Sequence, residues 1–376
     1  MLHRRSKLGA MGLVIAAVVA GCGNSGGSSG SNASPNAAAS KGSNGGKTLT
    51  VLSWKSYGAD DPWAVKEFEH ETGATVKFVY MNSEDGMLQT LQQGGVGKID
   101  VALPNLEYVQ PGVQRGVFQP IDQQKITTWS QLSTQFTKLT ALRSNGQLYA
   151  VPWVQGATSL AVNPKTVKPA PDSWATLWSP ANRGKVAYFD DPTTAIMTAA
   201  LYLHQNPQDP NLVSVHKALQ ALKANVKVFW ASADDWTKAY TSGAVTMGNL
   251  WSGLAGTLTA NGQPVDYIFP KEGTVRWGDN WAIVKNAPDQ SLAYKWINFM
   301  TSERYFVHWI SQPGPNQELA VPVNTAAVAA LPKKDSEKLS AARLINFHGP
   351  AAFQAGIPLN RLAQWTQLWE QVKAGG

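Results

Sequence analysis

Apolar positions along the chain follow two rhythms. From Thr48 the sequence reads Thr-Leu-Thr-Val-Leu-Ser, a short β-compatible run that predicts a strand over 48–53. Pro62-Trp63-Ala64-Val65 then opens a pattern that predicts a helix ending near Gly73, a residue suited to a left-handed cap. Residues 75–80 predict a second strand, and Ser83 the cap of a helix reaching Gly94. Residues 99–103 predict a third strand, stopped by Pro104. Strand, helix, strand, helix, strand is the order of a parallel sheet with helices on its faces.

A second series follows. It predicts strands over 185–189, 226–230, 245–250 and 265–269, and helices over 193–204, 211–223 and 234–242. Between the two series, Trp153-Val154-Gln155-Gly156-Ala157-Thr158 predicts a segment that crosses from one half to the other. Near the carboxyl end, Leu362, Trp365, Leu368, Trp369 and Val372 recur at helix-face spacing. About 330 residues share this α/β pattern, too many for one small core and suited to two lobes.

The amino-terminal region has neither rhythm. His3, Arg4, Arg5 and Lys7 precede a short apolar run from Leu8 to Ala20, which suits the core of a signal peptide and is short for a membrane span. It ends Val19-Ala20-Gly21-Cys22, a pattern that resembles the bacterial lipobox, with cleavage before Cys22 and lipid on its thiol. The expected division is a signal peptide over 1–21 and a tether over 22–47. The tether is rich in Gly, Ser and Asn, unable to bury a core, with a reach of roughly 25–30 Å. Cys22 is the single cysteine, so disulfides and Cys-based metal sites within the chain are excluded. An extracytoplasmic protein held to the membrane through Cys22 is expected.

Composition narrows the function classes. The formal charge is +7, but the basic residues are scattered, and no stripe of the kind nucleic acid needs is present. Two motif fragments are set aside: Gly23-Asn24-Ser25-Gly26-Gly27 falls in the tether, and the near P-loop at 41–48 has Lys41 in place of its first Gly and precedes a strand instead of following one. Neither a nucleophile elbow nor a phosphate cradle has its strand and helix. The histidines lack metal-ligand spacing, and no catalytic constellation is evident. No enzyme activity, metal or cofactor is expected.

In open α/β sheets ligands sit beyond the carboxyl ends of strands. Trp54 and Tyr57 follow the first predicted strand, and Asn105, Glu107 and Tyr108 the third. Asp190 and Asp191 follow 185–189, and Trp251 follows 245–250. Trp277 and Asp279 follow 265–269, across a turn. Rings and carboxylates recurring there suit a cationic organic ligand, because ring faces attract ammonium groups and carboxylates bind them by charge-assisted hydrogen bonds. Other uses stay open: Trp251 and Trp277 equally suit a core, one of Asp190 and Asp191 suits a helix cap, and Glu107 suits a solvated first helical turn.

Several of these stretches, in order, carry a resemblance. They are Ser53-Trp54-Lys55-Ser56-Tyr57, Ile99-Asp100-Val101, Gly156-Ala157-Thr158, Ser173-Trp174-Ala175-Thr176-Leu177-Trp178, Phe189-Asp190-Asp191, Leu250-Trp251-Ser252-Gly253, Pro270-Lys271-Glu272-Gly273 and Trp277-Gly278-Asp279. With them the chain resembles the periplasmic spermidine/putrescine-binding proteins of bacterial ABC importers. The resemblance implies a periplasmic-binding-protein type II-like fold of two α/β lobes with a ligand cleft between them. It implies lobe 1 over 48–157 plus 281–325 and lobe 2 over 158–280 plus 326–376, with crossings near Ala157, Asn280 and Thr325. It implies a monomer that delivers a polyamine to ABC permease subunits, with Trp54, Tyr57, Asp191, Trp251, Trp277 and Asp279 as ligand residues.

Two positions depart from the family pattern. Thr194 stands where a Glu is usual, and Glu107 where an aromatic is common. Lys55 and Arg276, beside site residues, leave open a zwitterionic ligand such as 4-aminobutyrate or another small amino acid. A secreted lipoprotein hydrolase is disfavoured for want of a nucleophile–base pair.

Overall fold

The structure is a computed structural model that describes residues 46–312, 320–336 and 349–375. The signal segment, Cys22, nearly all of the tether and His348 lie outside the described residues.

The strands are β1 (Thr48–Trp54), β2 (Thr75–Met81), β3 (Val101–Ala102), the hairpin β4 (Arg143–Ser144) and β5 (Gln147–Leu148), β6 (Ala150–Val162), β7 (Val186–Phe189), β8 (Val226–Trp230), β9 (Met247–Trp251), β10 (Asp266–Ile268), β11 (Thr274–Ile283), β12 (Val321–Pro322) and β13 (Ala351–Phe353). All but the hairpin join one sheet of order β2-β1-β3-β11-β6-β9-β7-β8, with β10 and β12 on β6 and β13 on β11. Each end of the sheet is a parallel α/β unit: β1 pairs parallel with β2 and β3, and β7 with β8 and β9. The long antiparallel pair β6–β11 joins the two units.

The cores follow the same division. Leu49, Val51, Trp153, Ala157, Trp281 and Trp296 belong to one buried cluster. Leu160, Tyr188, Val275, Trp365 and Trp369 belong to another, and Trp230, Trp236 and Leu250 to a third beside it. Both β6 and β11 therefore change core partway along, which gives the molecule two α/β lobes.

Local chemistry sets the element ends. Asp61 caps the helix Pro62–Thr72 through the Ala64 N–H at 3.0 Å, and Gly73 ends it at φ 67°. Ser83 caps Glu84–Thr90 through the Gly86 N–H. This helix stops short of its predicted end and continues to Gly95 as a wider turn, where Gly94 adopts φ 120°.

The predicted third strand pairs over only two residues. A larger correction concerns Trp277 and Asp279. They are not in a turn beyond a strand but inside the ten-residue β11. The expected crossing segment at 153–158 is the middle of β6, thirteen residues buried on both faces.

Candidate functional site

The first wall is built where β1, β3 and β11 come together. Trp54 is the last residue of β1 and is half-buried. The chain then turns through Ser56, whose N–H donates to Asp60 at 2.9 Å, and reaches Gly58. A Cβ at Gly58 would lie 2.8 Å from the Trp309 indole, so this loop is pressed onto the core. That fixes Tyr57, whose ring stands edge-on to Trp153 at 5.8 Å and whose hydroxyl donates to Asp279 Oδ2 at 2.6 Å.

Asn105 follows β3 and caps the helix Leu106–Gln114. Its Nδ2 donates to Asp279 Oδ1 at 3.3 Å, and its backbone N–H donates to Glu84 Oε1 at 3.1 Å. Asp279 is 5% exposed. Burial pushes its pKa up to about 6, against the downward pull of the Tyr57 and Asn105 donors. Glu84 is pushed well above the usual carboxylate range, by burial first and then by the charge of Asp279; the Asn105 N–H and the Trp54 side chain oppose this. Trp277 lies flat on Gly156: a Cβ there would come within 1.9 Å of its ring. Glycine at 156 therefore makes the space that the indole fills.

The second wall comes from the helix after β7. Asp191 caps the helix Pro192–Tyr202 through the Thr194 N–H at 2.7 Å, and burial raises its pKa. Glu107, from the first wall, is 7% exposed, and its Oε2 has no hydrogen-bond partner. Burial raises it strongly, followed by the charges of Asp191 and Glu84, while the Thr193 hydroxyl opposes the rise. Glu107 and Asp191 thus face each other closely enough for their charges to interact. Thr194 is occupied by Gln354, whose Nε2 donates to its hydroxyl at 3.1 Å.

The structure therefore gathers Trp54, Tyr57, Asn105 and Asp279 into one network and sets Glu107 beside Asp191. Trp251 stands in a separate aromatic group, edge-on to Trp230 at 4.8 Å and to Phe189 at 5.0 Å. The reading of Glu107 as a solvated first-turn residue is wrong, since it is buried against acids. The sequence reading missed Glu84, although the rule that found the other residues reaches it: Glu84 lies just past the carboxyl end of β2.

Neither cationic neighbour joins the network. Lys55 is exposed, with its ammonium 6.0 Å from the Tyr80 ring. Arg276 alternates to the opposite side of β11 from Trp277. There its guanidinium hydrogen-bonds Gln155 and lies 5.4 Å from the Phe353 ring and 6.0 Å from the Phe136 ring. Burial lowers its pKa to about 10. Among the described residues no ion pair includes Glu84, Glu107, Asp191 or Asp279. No three or more His, Cys, Asp or Glu among them are arranged to hold a metal ion. No helix among them is long and apolar enough to cross a membrane.

Comparison with known proteins gives consistent matches. Residues 63–341 match the family model described as bacterial extracellular solute-binding protein. The spermidine/putrescine-binding periplasmic protein of Escherichia coli is 31% identical over 276 residues, 72% of this chain and 78% of that protein. The putrescine/agmatine-binding protein of Pseudomonas aeruginosa is 24% identical, over 87% of this chain and 92% of its own length. Among solved structures, a putative spermidine/putrescine ABC transporter from Listeria monocytogenes superposes with a TM-score of 0.74 at 22% identity, over 87% of this chain and 99% of that one. Its likeness supports the two-lobed, periplasmic-binding-protein type II-like fold. By these matches the chain belongs to the bacterial extracellular solute-binding proteins.

Proposed function

We propose that this protein is the lipid-anchored, extracytoplasmic receptor of an ABC importer and binds a polyamine, putrescine or spermidine, for delivery to the permease. The observation that carries the reading is the acid cluster. Four carboxylates converge beside aromatic rings, and no cation of the described chain answers them. Isolated buried charge is costly, so a site of this kind is completed by a cation from outside. Aromatic rings nearby favour an organic ammonium over a hydrated metal ion.

The proposed ligand residues are Trp54, Tyr57, Asn105, Glu107, Asp191, Trp251, Trp277 and Asp279. Asp279 receives one ammonium group, with Tyr57 and Asn105 holding its oxygens. Glu107, with Asp191, receives a second and stands in for the acid the family carries at the place of Thr194. We place lobe 1 at 48–157 plus 281–325 and lobe 2 at 158–280 plus 326–376, and we read the protein as a monomer without enzymatic activity. Closure of the lobes about the ligand is what the permease would recognise.

Titration calorimetry with putrescine and 4-aminobutyrate tests the reading. Putrescine is expected to bind and 4-aminobutyrate to compete poorly, since Arg276 packs on the other side of its strand. Asp279→Asn should weaken putrescine ten- to hundredfold, about 1.5–3 kcal/mol for a charge-assisted hydrogen bond. Glu107→Gln should weaken a diamine more than a monoamine. If 4-aminobutyrate binds more tightly than putrescine and Arg276→Ala abolishes that binding, the ligand is a zwitterion instead. For the anchor, Cys22→Ala should move the protein from the membrane fraction to the soluble one.

A further inference from the structure

Glu84 and Glu107 each bury one carboxylate oxygen without a hydrogen-bond partner, and Glu84 is the one coupled directly to Asp279. Its Oε1 accepts the Asn105 N–H at 3.1 Å, while Oε2 is shielded from solvent and has no hydrogen-bond partner. The groups facing it from each neighbouring element are acidic or neutral. Asp279 faces it from β11, and Asp85 from its own helix. Glu107 senses its charge from the helix Leu106–Gln114, as does Tyr108. Trp54 faces it from β1 as a neutral indole that leaves Oε2 without a hydrogen bond. The backbone N–H of Asn105, already bonded to Oε1, joins Glu84 to the residue that holds Asp279.

An ionised Glu84 would put an unanswered negative oxygen beside a second carboxylate, and both would lack a counter-charge. A proton on Oε2 removes that charge and leaves Oε1 free to accept as it does. We propose that Glu84 stores a proton on Oε2 while the cleft is empty, and that an ammonium group arriving beside Asp279 displaces it. The balance is simple: a carboxylic acid and an alkylammonium become a carboxylate–ammonium pair, and the proton passes to solvent. Oε2 then gains the partner it lacks. The inference rests on the amine-binding reading above. It adds that uptake is coupled to proton release, so acidity competes with ligand.

The test uses the full chain and the Glu84→Gln variant, whose amide oxygen can still accept the Asn105 N–H. Infrared difference spectra of the empty proteins at pH 7, wild type minus Glu84→Gln, should show a carboxylic-acid C=O band. Calorimetry with putrescine, in two buffers of different ionisation enthalpy, should show net proton release from the wild type. In Glu84→Gln that release should fall at least twofold, the remainder coming from Asp279 and Glu107, which burial also raises. Wild-type affinity should rise as pH is raised from 6 to 8, and more steeply than in the variant.

Absence of the acid band overturns the proposal whatever binds. A band with no proton release on putrescine binding overturns the displacement. If putrescine does not bind at all, the amine reading and the displacement fall together, and the band alone decides whether a proton is stored. Should Glu84→Gln not fold, the wild-type measurement in the two buffers stands by itself, and zero release sinks the idea.

Discussion

Asp190 and Asp191 are neighbours in sequence, yet they serve different regions. Asp190 turns toward the carboxyl-terminal helix Leu359–Ala374, where Lys373 pairs with it at 2.8 Å and the Trp369 indole donates to it at 2.7 Å. Asp191 turns toward Glu107 and the acid cluster, where only neutral donors answer. One region is complete within the chain; the other is short of positive charge. An acid with its cation built in is part of the scaffold. An acid held only by Thr194 at a helix N-terminus, as Asp191 is, is fixed in place and still able to accept a cation.

The contrast breaks if scaffold and site respond alike to mutation. The largest expected effect is on the scaffold side. Trp369 is 1% exposed and packs edge-on to Phe229 at 5.4 Å, so Trp369→Ala should cost about 3–5 kcal/mol of stability in denaturant unfolding. Putrescine affinity of the folded variant should change by less than threefold; a tenfold loss would show that the helix shapes the cleft.

Next comes Asp279→Asn, with opposite signs for fold and ligand. A carboxyl whose pKa rises to about 6 on folding binds its proton more tightly in the folded state. Its contribution favours the empty fold below the ordinary carboxylate range and is lost as pH climbs to about 6. The asparagine variant should therefore be more stable than wild type at pH 7 without ligand, by up to about 2–3 kcal/mol. The difference should disappear below about pH 4 while binding weakens throughout. Melting curves across pH read the sign directly.

Asp190→Asn should act the other way and modestly. Loss of a mostly covered ion pair should cost about 1–2 kcal/mol, softened because Glu370 also reaches Lys373 at 2.9 Å. Unchanged putrescine affinity would sharpen the contrast with Asp191. The smallest effect is expected from Lys55→Ala, where an exposed ammonium near a ring is worth about 0.5 kcal/mol at most. A more than twofold change in putrescine affinity would mean that Lys55 reaches the site after all.

Much of the outer architecture was legible in the sequence. The runs that became β1, β2 and β8 are apolar and β-rich, and Pro62, Ser83 and Gly73 marked helix ends by ordinary helix-terminus chemistry. The central strands were not legible, for a physical reason. β6 contains Pro152, Gln155 and Gly156, and β11 contains Arg276, Gly278 and Asp279. Buried on both faces, they show no alternation, and their polar residues answer to partners far away in the chain. Trp277 and Asp279 were thus read as lying beyond a strand instead of within one.

Once that strand is known, alternation separates Arg276 from Trp277, which composition could not do. Glu84 was missed because the carboxyl end of β2 was passed over. The burial of Glu107 depends on the second lobe folding against it, which no local pattern reports.

The β6–β11 pair also bears on how the protein is made. Gln155 and Arg276, which meet across it, are 121 residues apart. Closing so long a loop is slow, and the first lobe lacks a central strand until residue 283 has been synthesised. The strand that joins β3 to β6 in the sheet is thus among the last of the first lobe's strands to be made, and the order of synthesis differs from the order of pairing.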